Sequence, residues 1–129
     1  MSLGRLASLV ATMPGWVASM VDEDGLDVAP VEGKAREPTY ATSAELVAAF
    51  DRALAAAREA LLHTTDEHLL TTWTLRAGGR VMSETPRHIA ISDGMLNHLA
   101  HHRGQLTVYL RLTDASVPSV YGPSADETH

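Results

Sequence analysis

The segment from about Arg87 to Leu112 constrains this chain more than any other. Ile91, Met95, Leu99, Leu106 and Leu110 recur at helical spacing and share one broad arc of a wheel, which predicts a long amphipathic helix. Asn97, Gly104, Thr107 and Arg111 point the opposite way, toward water. His98, His102, Gln105 and Tyr109 form a narrow stripe at the edge of the apolar arc. A polar stripe beside a core face differs from a plain solvated face, because buried polar groups need partners: protein, water or metal.

The stripe contains His98-Leu99-Ala100-His101-His102-Arg103-Gly104-Gln105. On a helix, side chains four apart stack on one face, their Cβ atoms about 5–6 Å apart. That spacing lets His98 and His102 grip one divalent ion, as helical H-x-x-x-H pairs do in zinc enzymes. Two such histidines alone can bind zinc or nickel weakly, with waters filling the shell. His101 then lies outside the site or behind its ligands. The alternative is a pair of edge histidines hydrogen-bonded to neighbours such as Gln105. His88 and Asp93 are the nearest further donors in sequence, and neither lies ideally on the stripe.

The other helices read from the same periodicity. Leu3, Leu6, Leu9, Val10, Met13, Val17 and Met20 mark a helix over about residues 2–21, kinked or broken where Pro14-Gly15 interrupts it. Asp22 to Thr42 reads as a connector: a solvated acidic turn, then a proline-flanked polar segment. The acidic turn lacks the ligand spacing and closing glutamate of a calcium loop. Thr42-Ser43-Ala44-Glu45 is a capping box opening a helix over about residues 43–63, with Leu46, Val47, Phe50, Leu54, Ala57 and Leu61 as its apolar stripe. Between the long helices, Gly78-Gly79 suits the turn of a small hairpin or an irregular excursion. Residues 113–129 form a turn-rich tail expected to pack over one end of the helices.

Bulk properties remove several function classes. A chain of 129 residues makes one domain with a core, not two. Its formal charge of −6 opposes binding to nucleic acid or anionic membranes. It has no cysteine, which excludes disulfides, thiolate metal sites and a cysteine nucleophile. No apolar run is long enough to span a bilayer, and the N-terminus lacks the pattern of a signal peptide. A cytoplasmic location is the expectation.

The remaining residues carry bland readings. Arg103 suits an anionic substrate but reads better as one half of a structural ion pair. Gly104 reads as a close helix contact, Tyr109 as a rim tyrosine, and Trp16 and Trp73 as packing residues. His63 and His68, five apart, share no helix face and read as surface or loop residues. Ser124, Asp126 and His129 superficially suggest a hydrolytic triad, but a terminal tail has nothing to orient them.

The histidine motif and its continuation Leu106-Thr107-Val108-Tyr109-Leu110-Arg111 resemble the DinB/YfiT-like family. So do the front, Leu3-Gly4-Arg5-Leu6-Ala7 through Met13-Pro14-Gly15-Trp16, and the closing Tyr121-Gly122-Pro123-Ser124-Ala125-Asp126. The resemblance implies an all-α, up-down four-helix bundle over residues 1–129, here lacking the first helix and carrying a small irregular or hairpin insert. Either Met1 is an internal methionine taken as a start, or the chain is a true truncation. A bundle short of one helix exposes apolar side chains, each costing about 1.5–3 kcal/mol relative to burial. Self-association into a homodimer, poor solubility or marginal stability follows.

The resemblance also implies a divalent ion, zinc or nickel, held by three histidines. Two map onto His98 and His102. The third position is occupied by Leu9, and leucine cannot ligate a metal. Two functions fit. One is a metal-dependent enzyme acting on a small molecule or thiol, as a transferase, isomerase or hydrolase, with no nucleic-acid or membrane partner. The other is a metal-free bundle acting as a small-molecule-binding or interaction module.

Overall fold

The first apolar stripe folds as two short helices separated by the Pro14 break. In a computed structural model describing residues 1–29 and 38–127, α1 spans Leu3–Thr12 and α2 spans Trp16–Asp22. Met13–Gly15 between them is a 3-10 turn. Pro14 sits in its first turn, where a missing N–H costs nothing. Leu6, Ala11, Met13 and Val17 are buried along this pair.

α3 runs Ser43–His63 and begins where the capping box places it. Thr42 accepts from the Glu45 amide at 3.2 Å, and Glu45 accepts from the Thr42 amide at 3.0 Å. These bonds satisfy amides that a helix start otherwise orphans. The Ala41 amide, at 2.8 Å, and then the amide and hydroxyl of Thr42 hold the Glu45 carboxyl below its ordinary pKa. Ala49 and Ala57 form the buried side of α3. Their small side chains let α1, the 3-10 turn and α2 approach closely.

The last long helix is continuous but not uniform. Arg87–Ile89 is α-helical (α5), Ala90–Asn97 is a π-helix, and His98–Leu112 (α6) returns to α geometry. Ile91 and Met95 are buried, while Leu99, Leu106 and Leu110 are half-buried, so the apolar arc faces inward along its length. Gly94, within the π turns, sits beside the Met20 side chain, where an added Cβ would lie 3.6 Å from Met20 Cε. Gly104, expected to serve a close helix contact, instead faces open space.

The expectation of an all-α bundle is overturned by a three-stranded mixed sheet of order β1-β2-β3. β2 (Thr72–Ala77) and β3 (Arg80–Pro86) form the hairpin around Gly78-Gly79, both glycines at positive φ (60° and 78°). The third strand, β1 (Gly25–Asp27), lies inside what reads in sequence as a solvated acidic turn. It pairs parallel to β2, with Gly25 opposite Thr74 and Asp27 opposite Arg76. Two features make this possible. A Cβ at Gly25 would run into the Thr74 carbonyl oxygen, so only glycine admits β2 this closely. Asp27 accepts from the amides of Gly78 at 2.9 Å, Gly79 at 2.7 Å and Ala29 at 2.9 Å. Its carboxylate therefore clamps the hairpin turn, and those three amides hold its pKa below the ordinary value.

Sheet and helices share one core. Val17, Met20, Val21, Ala57, Trp73, Ala90, Ile91 and Met95 pack together, with Trp16 and Leu75 against their edge. Arg87 locks the sheet to α2. Its side chain is buried, and its guanidinium donates to the carbonyls of Met20 (2.8 Å) and Glu23 and to Asp24. Its Nε donates to Thr71 Oγ1 at 2.9 Å. A short helix, α4 (Asp66–Leu69), joins α3 to β2. The tail is tied to α6 by an Arg111–Asp126 ion pair at 2.6 Å. The remainder of the polar connector, residues 30–37, and His129 of the superficial triad lie outside the described residues.

Candidate histidine site

α6 sets His98 and His102 on one face, as their spacing requires, and the two rings meet. The Nε2 atoms are 2.8 Å apart and the ring centroids 4.5 Å apart. His102 is buried, whereas His98 keeps more of its surface in water, with Trp16 tilted against it at 5.8 Å. The far side of each ring has its own partner. Gln105 Oε1 lies 2.7 Å from His102 Nδ1, one turn on, and accepts its proton. The Gly94 carbonyl, one turn back, hydrogen-bonds His98. With His98 Nε2 turned to His102, Nδ1 is the nitrogen left for that bond.

The consequence is electrostatic. A proton on one Nε2 would make the 2.8 Å contact an N–H···N hydrogen bond. In the tautomers set by both Nδ1 atoms donating, both Nε2 atoms instead carry bare lone pairs, and these face each other. That contact is repulsive unless a proton or a cation sits between them. Burial lowers the pKa of His98, the neighbouring His102 and His101 lower it further, and the Gly94 bond only partly opposes this. A bridging proton is therefore disfavoured at neutral pH. A tetrahedral ion about 2.0–2.1 Å from each nitrogen would set them roughly 3.3 Å apart, so the rings need part only slightly. The partners behind the rings fix the tautomer a ligand needs, the usual arrangement around metal-bound histidine.

The donor set is short, however. Among the described residues, no group of three or more His, Asp or Glu side chains could hold a metal ion. Leu9, where the resemblance implies a third histidine, is half-buried on α1. His101 stacks edge-on against His102 at 5.1 Å. The pair thus fits two positions of a divalent-ion shell and leaves the others to water or substrate.

Other candidates are occupied elsewhere. His88 Nδ1 faces the Leu69 carbonyl at 3.2 Å, and Asp93 accepts from Asn97 at 3.0 Å. His63 caps its own helix through the Glu59 carbonyl, and His68 Nε2 bonds the Val21 carbonyl at 2.8 Å. Arg103 has the Tyr121 ring 6.0 Å away and, among the described residues, no ion pair of the kind read from sequence. Asp126 is taken by Arg111 and the Val117 amide. Tyr109 is half-buried and donates to the Met1 carbonyl at 2.8 Å, a rim position. Sequence reasoning missed the Gly94 carbonyl, whose role depends on the turns just before α6. It also missed a cavity of about 380 Å³ on the far side of Gln105, lined by Gln105 with Met1, Leu6, Val108, Tyr109 and Leu112 and by neither histidine.

A stretch of 33 residues is 46% identical to the uncharacterized protein YrdA of Bacillus subtilis (strain 168). That match covers 26% of this chain and 20% of YrdA, far less than two thirds of that protein's length. No solved structure matches the chain. The model of the DinB family matches residues 3–129, nearly the whole sequence, and the chain belongs to the DinB family.

Proposed function

We propose that His98 and His102 bind one divalent cation, zinc or nickel, as a two-histidine chelate with open positions for a small-molecule or thiol substrate. The observation that carries this reading is the pair of facing Nε2 atoms whose Nδ1 atoms are both held by acceptors. A cation relieves the lone-pair contact, and the depressed pKa of His98 keeps that ring unprotonated near pH 7. Bound there, the ion would supply Lewis-acid polarisation or an activated nucleophile, as a transferase, isomerase or hydrolase of this family uses. Gln105 both orients His102 and lines the adjoining cavity, so it couples ligand geometry to whatever occupies that space.

A second reading rests on Leu9. With that donor absent, the pair serves as a polar element in a metal-free binding or interaction module. Elemental analysis after incubation with zinc and nickel and extensive dialysis separates the two, with His102→Ala as control. Near-stoichiometric metal, lost in the control, supports the chelate. A folded protein that retains none leaves the metal-free reading.

A further inference from the structure

The C-terminal end of α3 opens onto a polar cleft that the histidine site does not use. Two cavities of about 390 Å³ each adjoin there and share Asp22, Ala60 and His63. One adds Thr64 and His68, and the other adds Ala18, Ala56 and Glu59. The polar groups of this lining are chiefly acceptors. Asp22 and Glu59 bring exposed carboxylates, and Asp22 has no ion-pair partner among the described residues. His68 Nε2 donates to the Val21 carbonyl at 2.8 Å, and His63 Nδ1 donates to the Glu59 carbonyl at 2.9 Å. In each neutral ring the other nitrogen, His68 Nδ1 and His63 Nε2, is then an acceptor. The last turn of a 21-residue helix adds partial negative charge. Among the described residues, no lysine or arginine lines either cavity. Thr64 gives an independent sign. Its hydroxyl oxygen is buried and has no hydrogen-bond partner among the described residues. Buried polar atoms are ordinarily paired, so this one marks a place for a ligand's donor.

We propose that this cleft binds a linear alkyl di- or polyamine, with its ammonium groups at Asp22 and Glu59 and its methylene chain over Ala18, Ala56 and Ala60. An alkylammonium brings several donors and no acceptor, the complement of this lining. Two adjoining cavities suit an elongated ligand with a charge at each end. The three alanines give its methylenes a small-residue, apolar floor. A chelated metal ion fits less well, because among the described residues no group of three or more His, Asp or Glu side chains could hold one. Neither His98 nor His102 lines the cleft, so this proposal stands whether or not metal binds at that pair.

The test is isothermal titration of the full chain with spermidine at about pH 8 and about 0.15 M salt, which screens diffuse attraction to an acidic protein. Saturable binding is expected. Asp22→Asn and Glu59→Gln should each weaken it about fivefold, and together more than either alone. Both positions are exposed, so folding is retained and circular dichroism checks it. Thr64→Val removes the unpaired hydroxyl. It should weaken spermidine binding while leaving the ligand-free protein at least as heat-stable, whereas a merely structural threonine would lose stability and leave affinity unchanged. Propylamine, with one ammonium, should bind more weakly, and magnesium chloride at matched ionic strength should not compete. No saturable binding up to millimolar spermidine, or binding indifferent to both carboxylate variants, overturns the proposal. Magnesium competing as well as the amine, or a Thr64→Val protein that is less stable with unchanged affinity, overturns it equally.

Discussion

Arg87→Met should unfold this protein more readily than any change at its acidic partner. The guanidinium is 2% exposed and serves two backbone carbonyls, the Thr71 hydroxyl and Asp24. Methionine keeps most of the apolar stem and removes every donor. The carbonyls of Met20 and Glu23 and Thr71 Oγ1 then lose a charged partner. Hydrogen bonds to a charged group contribute about 1.5–3 kcal/mol each, and breaking a buried charged network costs about 3–5 kcal/mol in total. That is a large part of an ordinary domain's stability of about 5–15 kcal/mol. At roughly 4 °C per kcal/mol, the midpoint should fall by about 12–20 °C. The Asp24 side chain, by contrast, is 97% exposed, so its ion pair is worth about 0–1 kcal/mol despite its short contact. Asp24→Ala should therefore lower the midpoint by only a few degrees, and added salt should mimic it. Thermal and urea unfolding followed by circular dichroism measure both. Asp24→Ala as damaging as Arg87→Met, or an Arg87→Met loss below about 1 kcal/mol, would refute the assignment of the stability to the carbonyl bonds.

Gly25→Ala should detach β1 from β2, because the new methyl meets the Thr74 carbonyl oxygen; faster amide exchange at Thr74 and Arg76, absent in Gly4→Ala, checks this. Asp27 has a folded-state pKa below its ordinary value, so its stabilising contribution is present above about pH 4. It is lost as pH falls through the depressed pKa, so the stability difference between wild type and Asp27→Asn should shrink in acid; a constant difference from pH 3 to 7 would sink the clamp. Leu9→His adds the donor that the resemblance implies at this position and should raise zinc affinity at least about tenfold by isothermal titration. Gln105→Ala frees the His102 tautomer and should weaken metal binding by about 10–100-fold with little change in folding.

The parts of the fold legible in sequence are those set by short-range chemistry. Thr42 and Glu45 cap each other three residues apart, so the start of α3 is written locally. Pro14 breaks the first helix by its own geometry. The two positive-φ glycines make the hairpin turn, and four-residue spacing brings His98 to His102. What escaped depends on distant partners. A strand of three residues has no periodicity to read, and β1 exists because β2 and the Asp27 clamp receive it. Arg87 follows a proline and opens a helix, which reads as surface; only the carbonyls of α2 make it a core residue. The π turns leave no mark in a wheel, so the Gly94 bond to His98 was not anticipated.

The parallel pairing of β1 with β2 also bears on how the chain reaches this structure. Gly25 meets Thr74 only after all of α3 and α4 have been accommodated between them. The hairpin and the helices close over short distances, but this contact must bear the entropy of a long loop before any of its bonds form. Docking of β1 therefore belongs on the native side of the rate-limiting barrier. Weakening it should speed unfolding while leaving the folding rate nearly untouched.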